Sequence, residues 1–107
     1  MKKSEKLTVR MDVAQLEDIP NIGVSIASNL RQIGIAKPHD LHGRDPYELY
    51  DLLNRVTGAR HDPCVLDTFI AAVRYMDGGP KTPWWKFTNE RKATLAEREL
   101  KSIKSSH

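Results

Sequence analysis

The sequence predicts a single all-α domain of about five helices, and three observations carry that prediction. The chain has 107 residues of which 39% are apolar, enough for one modest core. Gly and Pro divide its middle into helix-sized pieces, and no alternating, β-branched run indicates a strand. No apolar stretch is long enough for a membrane span or a signal peptide, and Cys64 has no second cysteine to pair with. We therefore expect a cytoplasmic protein without disulfides.

The first two helices are predicted on either side of Pro20. Helical spacing of apolar residues places the first from Met11 to Ile19, where Pro20 ends it. The second begins around Gly23 and ends at Gly34, a residue suited to the left-handed position after a helix. Its apolar positions are Ile26, Ala27, Leu30 and Ile33.

The next two helices share one start signal, an Asp followed by Pro. In Asp45-Pro46-Tyr47-Glu48 the Asp can cap, Pro fits the first helical position, and Glu completes a capping box. This helix runs from about Pro46 to Thr57 and is expected to bury Leu49, Leu52, Leu53 and Val56. Asp62-Pro63 opens the fourth helix, which ends at Gly78-Gly79. It is the most hydrophobic, so it is predicted to be central, with Val65, Leu66, Phe69, Ile70, Val73 and Met76 as its apolar set.

An aromatic strap follows, from Pro80 to Phe87, and its prolines favour an extended conformation. Its aromatic residues alternate with Lys81 and Lys86, which is typical of a partner surface or a base-stacking platform. They are Trp84, Trp85 and Phe87. Alternatively, the strap folds over the helices and completes the core, and at least one Trp is then buried. Beyond Thr88 the sequence predicts a charged helical tail, either exposed or docked on a partner.

The positive charge lies at the two ends of the chain. The formal net charge is +3, but residues 1–15 carry +2, residues 16–80 carry −3 and residues 81–107 carry +4. The predicted globular part is therefore mildly acidic, and attraction to a polyanion is expected from the ends.

The most informative stretch is Leu16–Leu30, which predicts two helices joined by a very tight turn. Ile22 is expected to fill the space between the helices, and Gly23 lets the backbone approach a ligand. The amides of Val24 and Ser25 lack intrahelical acceptors and lie at the positive end of a helix dipole, a combination that favours phosphate. Arg31 and Lys37 are expected to flank this site.

This stretch resembles the helix-hairpin-helix family, whose pattern is apolar-x-x-apolar-Pro-Gly-Ile-Gly-x-x-x-Ala-x-x-apolar. The matching positions are Leu16, Ile19, Pro20, Ile22, Gly23, Ala27 and Leu30. The resemblance implies binding to the DNA sugar-phosphate backbone without sequence preference, through residues Asn21, Ile22, Gly23, Val24 and Ser25. Asn21 replaces the first glycine of the pattern. Asn tolerates positive φ better than other non-glycine residues, although its side chain could crowd an approaching backbone.

The rest of the chain extends this resemblance. Leu53–Gly58 followed by Asp62–Asp67 has the layout of a second, degenerate hairpin, which implies a tandem helix-hairpin-helix (SAM-like) domain. Together with Trp84-Trp85-Lys86-Phe87, residues 14–88 resemble the small bacterial pathogenicity-locus proteins, some labelled as mitomycin-resistance proteins. We accordingly expect a basic N-terminal arm over residues 1–10, the tandem domain over 11–87 and the charged helical tail over 88–107.

Catalytic and metal sites are weakly supported by the sequence. His39, His42, His61 and Cys64 have zinc-like spacing, but a helix separates the two pairs by on the order of 15 Å, so no metal is expected. Cys64 lies in a first helical turn that could lower its pKa, yet a buried, space-filling cysteine is more common. Asp45, Glu48 and Asp62 are explained by capping, so no acid–base pair and no cofactor is predicted.

Two functions follow as hypotheses. The first is a non-catalytic module that binds duplex DNA through the hairpin, with a link to DNA damage or repair. The second is a protein-interaction adaptor that uses the aromatic strap and the tail helix, alone or in a small oligomer. A thiol-dependent enzyme using Cys64 is a third option.

Overall fold

The computed structural model describes residues 13–105, and within this range it contains α-helices and short 3₁₀ helices but no strand. The all-α prediction is confirmed. The four α-helices are α1 (Val24–Gln32), α2 (Pro46–Thr57), α3 (Pro63–Met76) and α4 (Thr88–Ser105). The 3₁₀ helices are Leu16–Asp18, Pro38–Leu41 and Trp84–Phe87. The predicted basic arm, residues 1–10, lies outside the described range.

Helices α2 and α3 begin where their Asp-Pro signals predict. The Asp45 carboxylate accepts a hydrogen bond from the Tyr47 amide, and the Asp62 carboxylate accepts one from the Cys64 amide, both at 2.9 Å. Each bond satisfies an amide that has no acceptor within its helix. Local chemistry therefore fixes both helix starts.

The predicted first helix, Met11–Ile19, is wrong in its described part. Only the 3₁₀ turn Leu16–Asp18 forms, and residues 13–15 are not helical. The reason is a local cap: the Asp18 carboxylate accepts a hydrogen bond from the Gln15 amide at 3.1 Å, so the turn starts at Gln15. Pro20 follows too soon for a full α-helical turn to form. Met11 lies outside the described residues.

The core is built around α3, which contacts α2, α4 and the 3₁₀ helices at 38–41 and 84–87. Its central position is confirmed. In α2 the buried stripe differs from the predicted one, because Tyr47 and Tyr50 are buried whereas Val56 is 56% exposed. The Tyr50 hydroxyl donates to the His61 carbonyl, so its ring can be buried without losing a hydrogen-bond partner. The stripe is therefore rotated towards the tyrosines.

The aromatic strap is extended only in its first half. Residues 80–83 are non-helical, whereas Trp84–Phe87 form a 3₁₀ helix in which the Lys86 amide donates to the Pro83 carbonyl at 3.1 Å. No proline follows Pro83, so nothing prevents the backbone from turning there. The expected extended conformation is wrong for residues 84–87. Helix α4 starts immediately afterwards, at Thr88.

Helix α4 is docked on the domain through a buried carboxylate. Asp67 of α3 is fully buried, and it accepts hydrogen bonds from the Thr88 hydroxyl and from Arg91 Nε, each at 2.8 Å. Leu95 packs against the core, and Arg98 pairs with Asp51 at 2.9 Å. The start of the tail helix is therefore fastened to the same chain. Among the described helices, none is both long enough and apolar enough to cross a membrane.

Candidate nucleic-acid interface

The turn before α1 has the hydrogen bond and residue types of a type II turn. The Ile22 amide donates to the Ile19 carbonyl at 3.1 Å, Pro20 occupies the second position, and Asn21 adopts φ = 75°. A positive φ is required at the third position of this turn, and Asn is one of the few residues that tolerate it. Ile22 is buried, as expected for the residue that fills the turn. Asn21 therefore preserves the backbone geometry that a glycine would give.

The side chain of Asn21 binds the strap. Its Nδ2 donates to the Thr82 carbonyl at 2.9 Å, joining residues 61 positions apart. This contact places the first half of the strap beside the turn. One cleft is consequently lined by turn residues, by the 3₁₀ helix before them and by three strap residues. They are Glu17, Asp18, Ile19, Pro20, Asn21, Ile22, Gly23, Lys81, Thr82 and Pro83.

The N-terminus of α1 is exposed next to this cleft, which Gly23 lines. Gly23 is the N-cap residue and has no side chain to bond the first-turn amides, whereas α2 and α3 carry Asp at that position. Gly23, Val24 and Ser25 are all exposed, and Val24 is 77% exposed. The amides of Val24 and Ser25 have no acceptor within the helix. An anion at this point would meet free N–H groups and the positive end of the helix dipole.

Neither of the two cations predicted to flank the site lines this cleft. Arg31 lies in the last turn of α1, roughly 10 Å along the helix from Val24, and Lys37 lies beyond the end of the helix. Arg31 forms two 3.0 Å hydrogen bonds with Glu17. Lys81, from the strap, lines the cleft instead. Lys81 is so far from the turn in the sequence that no local pattern predicts its place in the cleft.

The acidic residues beside the turn are partly neutralised. The hydrogen bond from Arg31 lowers the pKa of the Glu17 carboxyl, which is therefore ionised but paired. The Asp18 carboxylate accepts the Gln15 amide. Glu17 is thus paired with a cation, whereas Asp18, which also lines the cleft, is bonded to a neutral amide.

The aromatic residues of the strap have different environments. Phe87 packs against the core, with the Arg74 guanidinium 5.5 Å from its ring centroid. Trp84 is half-buried and Trp85 is 60% exposed. The expectation that one Trp is buried is therefore wrong: the ring of Phe87 contributes to the core instead, and Trp85 is left for solvent or a partner.

The remaining candidate residues are dispersed. His42 pairs with Asp77 at 2.8 Å and His61 with Asn54 at 2.9 Å, while His39 faces Asp40. Across the described part of the chain, no three His, Cys, Asp or Glu residues form a group able to hold a metal ion. Cys64 is half-buried, and burial together with the neighbouring Asp62 raises the pKa of its thiol. A raised pKa disfavours the thiolate that the third hypothesis requires.

Comparison with known proteins gives a family and a relative. The sequence profile of the pathogenicity locus family (Cdd1) matches residues 9–93. The chain is also similar to the mitomycin resistance protein McrB of Streptomyces lavendulae, with 44% identity over 85 residues that cover 79% of this chain and 81% of the relative. No solved structure matches the chain.

Proposed function

The chain belongs to the pathogenicity locus family, and we propose that it is a non-catalytic module that binds the DNA sugar-phosphate backbone without sequence preference. The observation that carries this proposal is the turn at Ile19–Gly23. Its positive-φ Asn21, buried Ile22 and uncapped Gly23 leave exposed amides at the start of α1. The same arrangement of turn and helix is what the resemblance to helix-hairpin-helix proteins implies for phosphate contact.

The proposal includes a tandem arrangement of two helical hairpins. The 3₁₀ helix Leu16–Asp18 and α1 would form the first hairpin, and α2 and α3, joined across residues 58–62, would form the second. Only the first hairpin is proposed to hold phosphate, because Asp62 already occupies the Cys64 amide at the start of α3. A DNA phosphate there would face a carboxylate.

Most of the binding free energy is expected from charge. Residues 16–80 are net negative, so long-range attraction must come from the basic segments 1–15 and 81–107. Lys81 supplies the cation beside the turn. Affinity gained in this way falls steeply as salt rises, because bound counterions are released from the DNA. The hairpin would position the backbone while the ends provide attraction.

The name of the relative supports a role connected with DNA damage. Mitomycin resistance protein McrB of Streptomyces lavendulae aligns over most of both chains. We propose that the present chain acts in a related context, holding DNA for damage protection or repair.

The test is a titration of fluorescently labelled duplex DNA with the full-length chain, measured by anisotropy at several salt concentrations. Gly23→Ala is the informative variant, because a Cβ placed there has nothing within 4 Å and only an incoming ligand meets it. We expect it to weaken binding roughly fivefold or more, since each lost phosphate contact costs about 1 kcal/mol. Ser28→Ala, on an exposed part of α1, is the matched control. Absence of binding at low salt by the unmodified chain would exclude the proposal.

A protein-interaction adaptor is the second candidate. Trp85 and Leu100 are 60% and 59% exposed, one on the strap and one on the tail helix, and both are large apolar side chains. This function predicts that sedimentation equilibrium shows concentration-dependent oligomers, or that Trp85→Ala releases a bound protein. A strict monomer from which neither Trp85→Ala nor Leu100→Ala releases a bound protein would contradict it.

A further inference from the structure

The hydrogen bond between Asn21 and Thr82 joins the turn to the first half of the strap, and Lys81, Thr82 and Pro83 line one cleft with the turn residues. We define the turn–strap face as Asn21, Gly23, Lys81, Trp85 and Lys86. We propose that this face selects DNA containing an unpaired base, with the backbone at the turn and the base stacked on Trp85. This inference rests on the proposed function and adds to it a class of DNA structure.

Trp85 is exposed but firmly supported. It packs against Trp84 in an edge-to-face arrangement, with ring centroids 5.7 Å apart and planes at 85°. The 3₁₀ helix that carries it contacts α3 and runs directly into α4, which Asp67 fastens to the core. A ring held in this way loses little conformational freedom when a ligand covers it. The structure thus presents a large apolar surface at a fixed place.

The charge around Trp85 favours a nucleic acid over an apolar protein segment. From Gly78 to Asn89 the chain has two lysines, Lys81 and Lys86, and no acidic residue. Both lysines are exposed, and neither forms an ion pair with any residue in the described range. An aromatic residue with a lysine on each side along the chain matches a base with its flanking phosphates.

The chain between Thr82, which contacts the turn, and Trp85 is short enough for nearby nucleotides of one strand to contact both places. Thr82, which bonds Asn21, is three residues from Trp85, so their Cα atoms lie at most about 11 Å apart. In the proposed complex, a base stacked on Trp85 would lie a few nucleotides from a phosphate at Gly23. Bases inside a duplex are already stacked on both faces, so only an unpaired or extruded base is free to stack on this ring.

The experiment compares three labelled DNAs of equal length with the full chain: an intact duplex, the same duplex with a one-nucleotide gap, and a single strand. We expect the gapped duplex to bind about fivefold or more tightly than the intact one, as stacking of one base provides. Trp85→Ala should remove that preference by lowering the gapped-duplex affinity to that of the intact duplex, while Trp85→Phe retains most of the preference. Val56→Ala, an exposed apolar position on α2, is the control.

A second readout uses fluorescence. In Trp84→Phe the remaining tryptophan is Trp85, and its emission should be quenched more by the gapped duplex than by the intact one. Equal affinity and equal quenching, with intact-duplex binding still sensitive to Gly23→Ala, would overturn this inference and leave the proposed function standing. Lack of binding to all three DNAs would overturn both. Loss of self-association in Trp85→Ala without any change in DNA preference would assign the ring to a protein interface.

Discussion

Replacing Gly23 by Asp should stabilise the protein and weaken the proposed DNA binding. The Asp N-caps of α2 and α3 accept the amide two residues later at 2.9 Å. An Asp at position 23 would accept the Ser25 amide in the same way, and a Cβ there has nothing within 4 Å. The gain over glycine as N-cap is a few tenths of a kcal/mol, and a carboxylate at the helix N-terminus adds about 0.3–1 kcal/mol. We expect roughly 0.5–1 kcal/mol in total, a rise of about 2–8 °C in Tm.

The effect on binding has the opposite sign. The new carboxylate would occupy one of the two amides proposed to meet phosphate and would lie within about 4 Å of it. Repulsion at that distance is about 1 kcal/mol in bulk water and about 4 kcal/mol near a protein surface, so affinity should fall roughly tenfold or more. Gly23→Asn provides the cap without the charge, so its affinity for DNA should lie between that of the unmodified chain and that of Gly23→Asp.

The assays are thermal unfolding followed by circular dichroism and DNA anisotropy at low salt. Ser28→Asp, which adds the same charge at an exposed position further along α1, controls for net charge. If Gly23→Asp is stabilised as expected but binds DNA as well as the unmodified chain, the α1 amides do not contact phosphate. If it is not stabilised, the start of α1 is not open in the way described.

Three further predictions concern stability and thiol chemistry. Arg91→Met leaves the buried Asp67 carboxylate without its cation and should cost about 3–5 kcal/mol in urea unfolding. Arg98→Met, at an exposed pair, should cost less than about 1 kcal/mol, and equal losses would contradict the argument. The Lys37 amide, with a second bond from Ala36, lowers the pKa of Asp40. The ionised Asp40 carboxylate therefore stabilises the folded state above its unfolded pKa of about 3.9, and this stabilisation is lost as the pH falls through the lower folded pKa. In Asp40→Asn, the free energy of unfolding should fall less steeply with decreasing pH than in the unmodified chain. The raised pKa of Cys64 should make its alkylation by iodoacetamide at pH 7 slower than that of a small free thiol, and an equal or faster rate would refute this.

Helix boundaries set by neighbouring residues could be predicted from the sequence. The starts at Asp45-Pro46 and Asp62-Pro63 depend on a side chain and an amide two positions apart, so the pattern contains the whole interaction. Asn21 was predicted to keep the turn, and it does, because positive φ is a property of the residue itself.

Features that depend on distant partners could not be predicted. The face that α2 buries depends on the His61 carbonyl, which receives the Tyr50 hydroxyl, and the helical pattern alone pointed to Val56. Arg31 is held by Glu17, fourteen positions away, and the cleft takes its lysine from the strap. The strap is linked to the turn by a hydrogen bond between Asn21 and Thr82, and neither local sequence gives a sign of it.

That hydrogen bond also has a consequence for the order of assembly during protein synthesis. The turn leaves the ribosome 61 residues ahead of Thr82. N-terminal segments emerge and begin to fold first, so α1 and α2 can form while the strap is still missing. A nascent chain then exposes the amides of the turn without Lys81 or Trp85 beside them. The turn–strap face is completed late, when the strap has emerged and α4 has docked to hold it in place.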